Sequence, residues 1–479
     1  MSEPFLVGRE RELAFLQQVA TRQRPGPAQL ILCYGRRRVG KTSLLRYWAS
    51  ASGLPTRYWT VEKEPAALQR RKLAALILGV PIAQAPTVST WAEVWELAIR
   101  VFGDGRHLLV IDELPYASEA DPAFLSALQH AWDVLFQHRA HVLVLCGSHE
   151  RVMAALQAGQ SPLFGRFTGQ WHLEPLPFTS LPAFLPTWSD DDRLAAYAIV
   201  GGVPAYLRWL NPDIDLWGNL RSVILSPGSM FLTEPAFLLQ DEVREPQAHL
   251  AILKAIGTGA RTIEEISAAT LLGKTHLSAY LARLQDLRLV ERRLPITVPP
   301  AARRTSRRGR YHLSDPYFRF YFRFLAPAHE TVVPMPEIVY EQIRRELSSY
   351  VGSTAFEELA RRWVLARGMA GQLPLRPEEA GSHWGPGVQA DVVAPNWGTK
   401  TILIGECKWT TAPVDVSVVR ALIEQKLPQV LAALPSGGHG WATTPAIFTR
   451  AGATSGARAL LLLHGGILVD LADFAGTDL

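Results

Sequence analysis

Cysteine is scarce: Cys33, Cys146 and Cys407 are the three in 479 residues. Each lies in an apolar run and none has a CxxC neighbour. That excludes a disulfide scaffold, argues against a zinc site and leaves buried free thiols as the expectation. Long hydrophobic runs are lacking as well. Apolar residues make up 48% of the chain but are dispersed, and a stretch such as 73–83 is broken by Gly79 and Pro81. A spanning helix needs ~20 apolar residues, so no membrane partner is expected. The opening MSEPFLVGRERE shows no apolar segment behind a basic start. No secretory leader is expected, and the cytoplasm is the expected compartment. Charge is modest, at 19% charged residues and a net of +5, so its distribution matters more than its total. No internal repeat is visible.

What is present divides by pattern. At ~100–200 residues per domain the length suggests two to four domains. Within residues 1–176, short β-rich apolar runs (29–34, 56–61, 107–112, 141–146, 170–173) alternate with helical stretches. That alternation predicts an α/β domain with a parallel sheet. Residues 177–245 read as mostly helical, and 246–327 as a smaller helical unit ending in an arginine-rich segment. Strand-like runs return in 334–479, preceded by a helix at 355–366 and followed by one at 416–433. The proline-rich APAHETVVPMP at 326–336 is the candidate linker.

Residues 35–42 read GRRRVGKT, a G-x4-G-K-[ST] motif between the apolar run QLILCY and a helical stretch. That is the setting in which the motif cradles phosphates. The backbone of Gly35, Arg36, Arg37, Arg38, Val39 and Gly40 would wrap them. Lys41 would reach the outer phosphates, Thr42 would place its hydroxyl on Mg²⁺, and the helix entered through Ser43 would add its positive end. A second acidic site follows. HLLVIDE at 107–113 is an apolar run ending in two carboxylates, Asp112 for the Mg²⁺ shell and Glu113 to polarise the attacking water. HVLVLCGS at 141–148 ends a third strand on Ser148, a candidate for the γ-phosphate or the water, or else a turn serine. SPLFGR at 161–166 offers Arg166 to neutralise transition-state charge, within one chain or across a subunit boundary, or else a surface arginine.

Together, FLVGREREL (5–13), GRRRVGKTS, VIDELPYA, CGSHE, SPLFGRFTG and GGVPAYL (201–207) resemble the archaeal-type AAA-related ATPases, a STAND-like branch of the P-loop ATPases. The resemblance runs through the whole chain. It implies an ASCE-type P-loop NTPase core with a helical lid, and ATP with Mg²⁺ as cofactors. It further implies that Val7, Gly8 and Arg9 border the adenine and that Gly202 and Pro204 form the lid-side GxP contact. His149 and Glu150 stand where many relatives carry small residues. STAND-like behaviour implies monomers that assemble into a homo-oligomer when triggered.

Three short helical patterns at 250–256, 263–270 and 276–287 are separated by polar turns, and the third carries Leu277, Leu281 and Leu284 on one face. Two strand-like segments, LVERR (289–293) and RYHL (310–313), then suggest a hairpin, the pattern of a winged helix. Between them lies AARRTSRRGR. Residues 283–323 hold eleven arginines against three acids, a net of +8 that exceeds the whole chain's +5. So focused a patch points to a polyanion. Arg303, Arg304, Arg307 and Arg308 are the candidate DNA contacts, at the minor groove or on phosphates. A solvated basic loop, or a winged helix used for intramolecular packing, has the same composition. The aromatic segment HLSDPYFRFYFRFL reads as core.

ADVVA (390–394) and TILIGECKW (401–409) carry Asp391, Glu406 and Lys408. In a strand Glu406 and Lys408 share a face, with Cys407 on the other. Two carboxylates beside a lysine can hold Mg²⁺ and activate a water against a phosphodiester. Such spacing is common by chance, and the weight rests on the strand-like runs and the flanking helices, the first of which contains Glu357, a further candidate acid. D…ExK in this order, with FEELARRWV and GECKW, resembles the restriction-endonuclease-like PD-(D/E)XK superfamily, and implies a C-terminal α/β domain of that fold. Trp384 and Trp397 flank the motif; they could stack on bases but read first as packing residues. Two readings of different class remain: an ATP-dependent DNA-processing enzyme that cleaves through Asp391, Glu406 and Lys408, or a nucleotide-controlled switch whose C-terminal domain only binds.

Overall fold

The computed structural model describes residues 6–22, 27–243 and 245–474. Phe5, the first residue of the FLVGREREL segment, lies outside them. The chain divides into two compact units. The first runs to Leu176 and takes in Val203–Ala205; the second holds Pro177–Gly202 and everything from Tyr206 on.

The first unit is built on five strands: β1 (Gln29–Tyr34), β2 (Thr56–Thr60), β3 (Leu108–Asp112), β4 (Val142–Gly147) and β5 (Gly169–His172). They lie in the order β2-β3-β4-β1-β5 with every pairing parallel. The reason is visible in β1, β3 and β4, which are apolar without alternation, as strands covered on both faces must be. Successive side chains feed opposite cores. Leu30, Leu32, Leu109, Ile111, Leu143 and Leu145 join one cluster. Ile31, Cys33, Leu108, Val110, Val144 and Cys146 join the other. Cys33 and Cys146 are register neighbours, buried and free, and Cys407 is free and partly buried. The first face is closed by the helices Trp91–Phe102 and Ala123–Ala131, whose Trp91, Trp95 and Phe124 pack ring against ring.

The second unit opens with helices, among them Asp190–Val200. Three more, Pro246–Gly257, Ile263–Thr270 and Lys274–Asp286, lead into an antiparallel ribbon of β6 (Val290–Arg293) and β7 (Arg310–Leu313). A capping box of Thr262 and Glu265 starts the middle helix. Leu277, Leu281 and Leu284 are all buried, as their spacing demands. The segment between β6 and β7 contains a short 3₁₀ helix, Pro300–Thr305. Residues 326–336, the candidate linker, carry the short helix His329–Val332 and lie inside the second unit.

A separate C-terminal sheet follows. Its strands are β8 (Gly381–Gly385), β9 (Val388–Asn396), β10 (Thr401–Lys408), β11 (Ala442–Thr449) and β12 (Ile467–Asp470), in the order β12-β11-β10-β9-β8. β8, β9 and β10 form an antiparallel meander, and β10, β11 and β12 run parallel. The helix Glu357–Met369 precedes the meander, and Ser455–Leu463 makes the crossover between β11 and β12. Among the described residues no helix is long and apolar enough to cross a membrane.

Charge is buried where the ribbon meets the C-terminal sheet. Glu358 accepts from Arg293 at 2.8 Å and from Arg319 at 2.7 Å. Burial works against the charge on Glu358, but the two guanidinium groups outweigh it and hold the carboxyl well below its usual range. The same arginines act on His312 of β7. Burial, then Arg293, Arg261, Arg319 and Arg361, push its imidazole down to about 2. The unfolded chain gains a proton near pH 6.5 that the folded protein refuses. His312 therefore contributes stability that is complete above that pH and is lost below it, at about 1.4 kcal/mol per pH unit. Burial pushes His141 and His383 in the same direction, each down to about 4. Urea unfolding of His312→Gln at pH 6.5 and pH 5 is expected to show a smaller acid loss than the unmodified chain, by about 2 kcal/mol. An equal loss in both would show that His312 takes up its proton as readily in the folded protein as in the unfolded chain.

Candidate functional site

The first site lies at the carboxyl ends of the parallel strands, where open α/β sheets place ligands. β1 ends at Tyr34, and Gly35 turns the chain into the loop. A Cβ at Gly35 would strike the carbonyl oxygen of Leu173, so only glycine passes here. Arg38 and Gly40 take positive φ, 68° and 99°, and the helix Lys41–Ala51 starts immediately after. Lys41 is 4% exposed, its ammonium bonded back to the carbonyl oxygens of Gly35 (2.8 Å) and Arg36 (2.9 Å). Val39 is fully buried and anchors the loop to the core. Arg37 reaches the Tyr116 hydroxyl at 3.3 Å. Ser43 is half-buried in the first turn of the helix.

Asp112, at the end of β3, is fully buried. Its Oδ2 accepts from the Thr42 hydroxyl and from the Tyr58 hydroxyl, each at 2.8 Å, and its Oδ1 accepts from the Glu113 backbone N–H at 3.1 Å. Burial and then the Asp112 charge raise the Tyr58 phenol far above its ordinary range, so it remains a donor. Tyr58 was not singled out from the sequence. Glu113 takes φ 57°, a conformation that costs a non-glycine residue about 1 kcal/mol or more and concentrates at functional sites. Its carboxylate is held by Ser148, whose hydroxyl donates at 2.6 Å and whose backbone N–H donates at 3.2 Å. The structure thus brings together Lys41, Thr42, Asp112, Glu113 and Ser148, and gives Ser148 a definite partner.

The other residues fall nearby or elsewhere. Arg9, 5% exposed, pairs with Glu12 and donates to the carbonyl oxygens of Val39 and Glu174, which ties Val7, Gly8 and Arg9 to the phosphate loop. Pro204 stands beside Gly40, 3.8 Å from where a Cβ would sit. Gly202 follows the end of the helix Asp190–Val200 in a turn whose Gly201 takes φ 67°. Arg166 is committed elsewhere: it holds Asp133 through two 2.8 Å bonds and donates to the carbonyl oxygens of Pro162 and Phe164.

The second site lies in the C-terminal sheet. The β9–β10 register, with Gly405 opposite Val392, brings Asp391 beside Glu406. Asp391 accepts from the Cys407 backbone N–H at 3.0 Å. Glu406, 7% exposed, is gripped by Lys408 (2.8 Å) and by Lys426 (2.5 Å) from the helical segment after β10. The sequence reading missed Lys426. Burial and the neighbouring Glu406 push the Asp391 carboxyl up. Burial and then Asp391 push Glu357 up to about 8. Glu357 also pairs with Arg361, which donates to the Asp391 carbonyl oxygen at 2.9 Å. Among the described residues no three His, Cys, Asp or Glu side chains form a ready cage for a metal ion. A cation here would take two carboxylates and complete its shell with water or phosphate oxygens, as Mg²⁺ commonly does.

The arginine-rich segment is only partly open. Arg304, Arg307 and Arg308 are exposed. Arg303 is bound to Glu379 by both guanidinium arms, one at 2.6 Å, and Arg308 donates to the Trp384 carbonyl oxygen at 2.9 Å. Arg293 and Arg319 share Glu358, and Arg323 pairs with Glu346. Acids outside the 283–323 window therefore neutralise part of the patch.

Residues 6–210 match a family described as an ATPase domain predominantly from Archaea. Residues 321–420 match one described as Archaea bacterial proteins of unknown function. An uncharacterized protein of Methanocaldococcus jannaschii is 29% identical over 408 residues, 84% of this chain and 87% of that protein. Among solved structures, the Walker-type ATPase of Pyrococcus abyssi gives a TM-score of 0.49 at 19% identity, covering 66% of this chain and 96% of its own. The Aeropyrum pernix ORC2 protein gives 0.44 at 14%, covering 72% and 96%. The chain carries an ATPase domain.

The Tyr58 bond to Asp112 makes a direct prediction. Tyr58→Phe keeps the ring and removes one donor from a buried carboxylate. Urea unfolding is expected to show a loss of about 1–2 kcal/mol. Unchanged stability would mean that Thr42 and the Glu113 N–H satisfy Asp112 without it.

Proposed function

We propose that this protein binds ATP with Mg²⁺ at the phosphate loop, hydrolyses it, and couples the nucleotide state to DNA binding and to Mg²⁺-dependent DNA cleavage at Asp391, Glu406 and Lys408. The observation that carries the first part is the chain Thr42–Asp112–Glu113–Ser148. A hydroxyl and a carboxylate 2.8 Å apart are hard oxygen donors suited to Mg²⁺. Lys41 meets the outer phosphates by exchanging its two carbonyl partners for phosphate oxygens. Mg²⁺, when bound, neutralises charge on the phosphates. Glu113 orients and polarises the water, and Ser148 positions Glu113. Val7, Gly8, Arg9 and Pro204 border the nucleotide. Arg166, paired with Asp133, would have to exchange that carboxylate to neutralise phosphate charge within one chain or across a subunit boundary. The domains are those read from the sequence: an ATPase core at 1–176, a lid at 177–245, a winged helix at 246–327 and a PD-(D/E)XK-like domain at 334–479.

The DNA reading is supported by the exposed Arg304, Arg307 and Arg308 on the segment between β6 and β7. The cleavage reading is supported by two carboxylates and a lysine at one end of β9 and β10. One observation favours a second function. Arg303 and Arg308 dock this segment on Glu379 and Trp384 of the C-terminal region, which suits a nucleotide-controlled switch in which that region serves as a binding module.

Three measurements separate these. Glu113→Gln is expected to retain ATP affinity and lower turnover by roughly 10²–10⁴-fold, within the range for loss of a general base; turnover within threefold of the unmodified chain would remove Glu113 from the chemistry. Arg304→Ala with Arg307→Ala is expected to weaken DNA binding and lower the log–log salt slope by about 2. A slope that does not move would place DNA elsewhere. Mg²⁺- or Mn²⁺-dependent cleavage of single-stranded, duplex and branched DNA is expected to vanish in Glu406→Ala, with Lys41→Ala showing whether ATP gates it. Intact ATP turnover without cleavage by the unmodified chain would leave the switch.

A further inference from the structure

A cavity of about 560 Å³ lies within the second unit, walled by the ribbon, the helix Pro336–Val351 and β8. Six guanidinium groups line it: Arg261, Arg293, Arg310, Arg319, Arg323 and Arg361. Four carboxylates answer them. Glu358 takes Arg293 and Arg319, Glu291 takes Arg293 again, Glu346 takes Arg323 and Glu357 takes Arg361. Arg261 and Arg310 form no ion pair among the described residues; the Glu265 carboxylate acts on both but is bound to the Arg261 and Thr262 backbone N–H groups. Arg261 reaches the Tyr311 carbonyl oxygen at 3.4 Å, and Arg310 lies over the Trp384 ring, 5.1 Å from its centre.

This excess has measurable consequences. Burial first, then Arg293, Arg319 and Arg310, lower the Arg261 guanidinium below its ordinary value, against a smaller opposing effect of Glu265. The His312 imidazole on the same wall is kept neutral by the same groups. It can accept a hydrogen bond, or donate one through a ring N–H, without adding charge. Ser349, Ser353 and Thr354 add hydroxyls to the rim, and Trp384 adds an aromatic face. The volume suits a ligand of nucleotide size. Guanidinium forks, hydroxyls and an aromatic ring together recognise phosphate attached to a planar group.

We propose that this cavity is a second anion site of the chain, taking the phosphate of a nucleotide-sized ligand between Arg261 and Arg310 while Trp384 faces the rest of the ligand. The site stands independently of DNA cleavage, because it needs neither Asp391 nor Glu406. The phosphate has two sources of one chemistry: a free nucleotide, or the phosphorylated end of a nucleic-acid strand.

The test uses the full chain carrying Lys41→Ala, which disables the phosphate loop. Calorimetry is run with pyrophosphate, AMP, a 5′-phosphorylated trinucleotide and its unphosphorylated counterpart. Binding of the phosphorylated probes is expected, and at least a tenfold loss of affinity when Arg261→Gln and Arg310→Gln are added. Ser353→Glu, which places a carboxylate on the exposed rim without removing a cation, is expected to give a similar loss and keeps the test valid where the double arginine variant does not fold. AMP binding as tightly as the phosphorylated trinucleotide would support a free nucleotide. A trinucleotide that binds tightly only when phosphorylated would support a strand end. No binding by any probe, equal binding by the unphosphorylated trinucleotide, or affinity untouched by Ser353→Glu would overturn the proposal.

Discussion

A carboxylate buried at the end of a strand must be met by donors, because an isolated buried charge costs several kcal/mol or more. Much of the local geometry in both sheets follows from meeting that demand. At the end of β3, Asp112 is satisfied by a hydroxyl from the phosphate-loop helix, a hydroxyl from β2 and the N–H of the next residue. Those bonds fix where Thr42 stands relative to β3, so the phosphate loop and the acidic strand end are held together before any nucleotide arrives. Pre-set geometry of this kind is what phosphoryl transfer requires, since positioning and electrostatics supply most of its catalysis. In the C-terminal sheet Glu406 is answered by two lysines, whereas Asp391 has one backbone N–H and a carboxyl pushed up by burial and by Glu406.

The parts of this arrangement that sequence makes legible are those encoded within a few residues. QLILCY, LLVID and VLVLCG carry unbroken apolar runs without alternation because both faces of β1, β3 and β4 are covered, and that pattern can be read directly. GRRRVGKT is legible because a phosphate loop is one continuous turn. Leu277, Leu281 and Leu284 are legible because a helix repeats every 3.6 residues. Tyr58 is not, because TRYWT says only that a strand is present, and the target of its hydroxyl lies 54 positions away. Lys426 reads as an ordinary helical lysine until the fold brings it to Glu406. The partner of Ser148 is hidden for the same reason: Glu113 ends a different strand.

Charge is the clearest case of what a local window conceals. Counting over 283–323 gives a net of +8, but Glu346, Glu358 and Glu379 lie outside the window and fold into it. The window locates the cluster of arginines and conceals which of them are already paired. Arg303, a candidate DNA contact, is occupied by Glu379, while Arg304 and Arg307 at the same tip remain exposed. Arg166 repeats the lesson in the first unit, where Asp133 holds it with both arms of its fork.

The helix Glu357–Met369 connects these themes. Its first turn offers Glu358 to Arg293 of β6 and to Arg319. One residue earlier Glu357 feels Asp391, and one turn later Arg361 bonds to the Asp391 carbonyl oxygen. A single rigid element therefore carries both the anchor of the arginine-rich ribbon and two neighbours of the candidate cleavage site. Buried ion pairs contribute little net stability but are expensive to break on one side. Their value here is registration: the ribbon cannot shift relative to this helix without stranding Glu358 or its two arginines. The same helix turn thus holds the ribbon through Glu358 and the Asp391 backbone through Arg361.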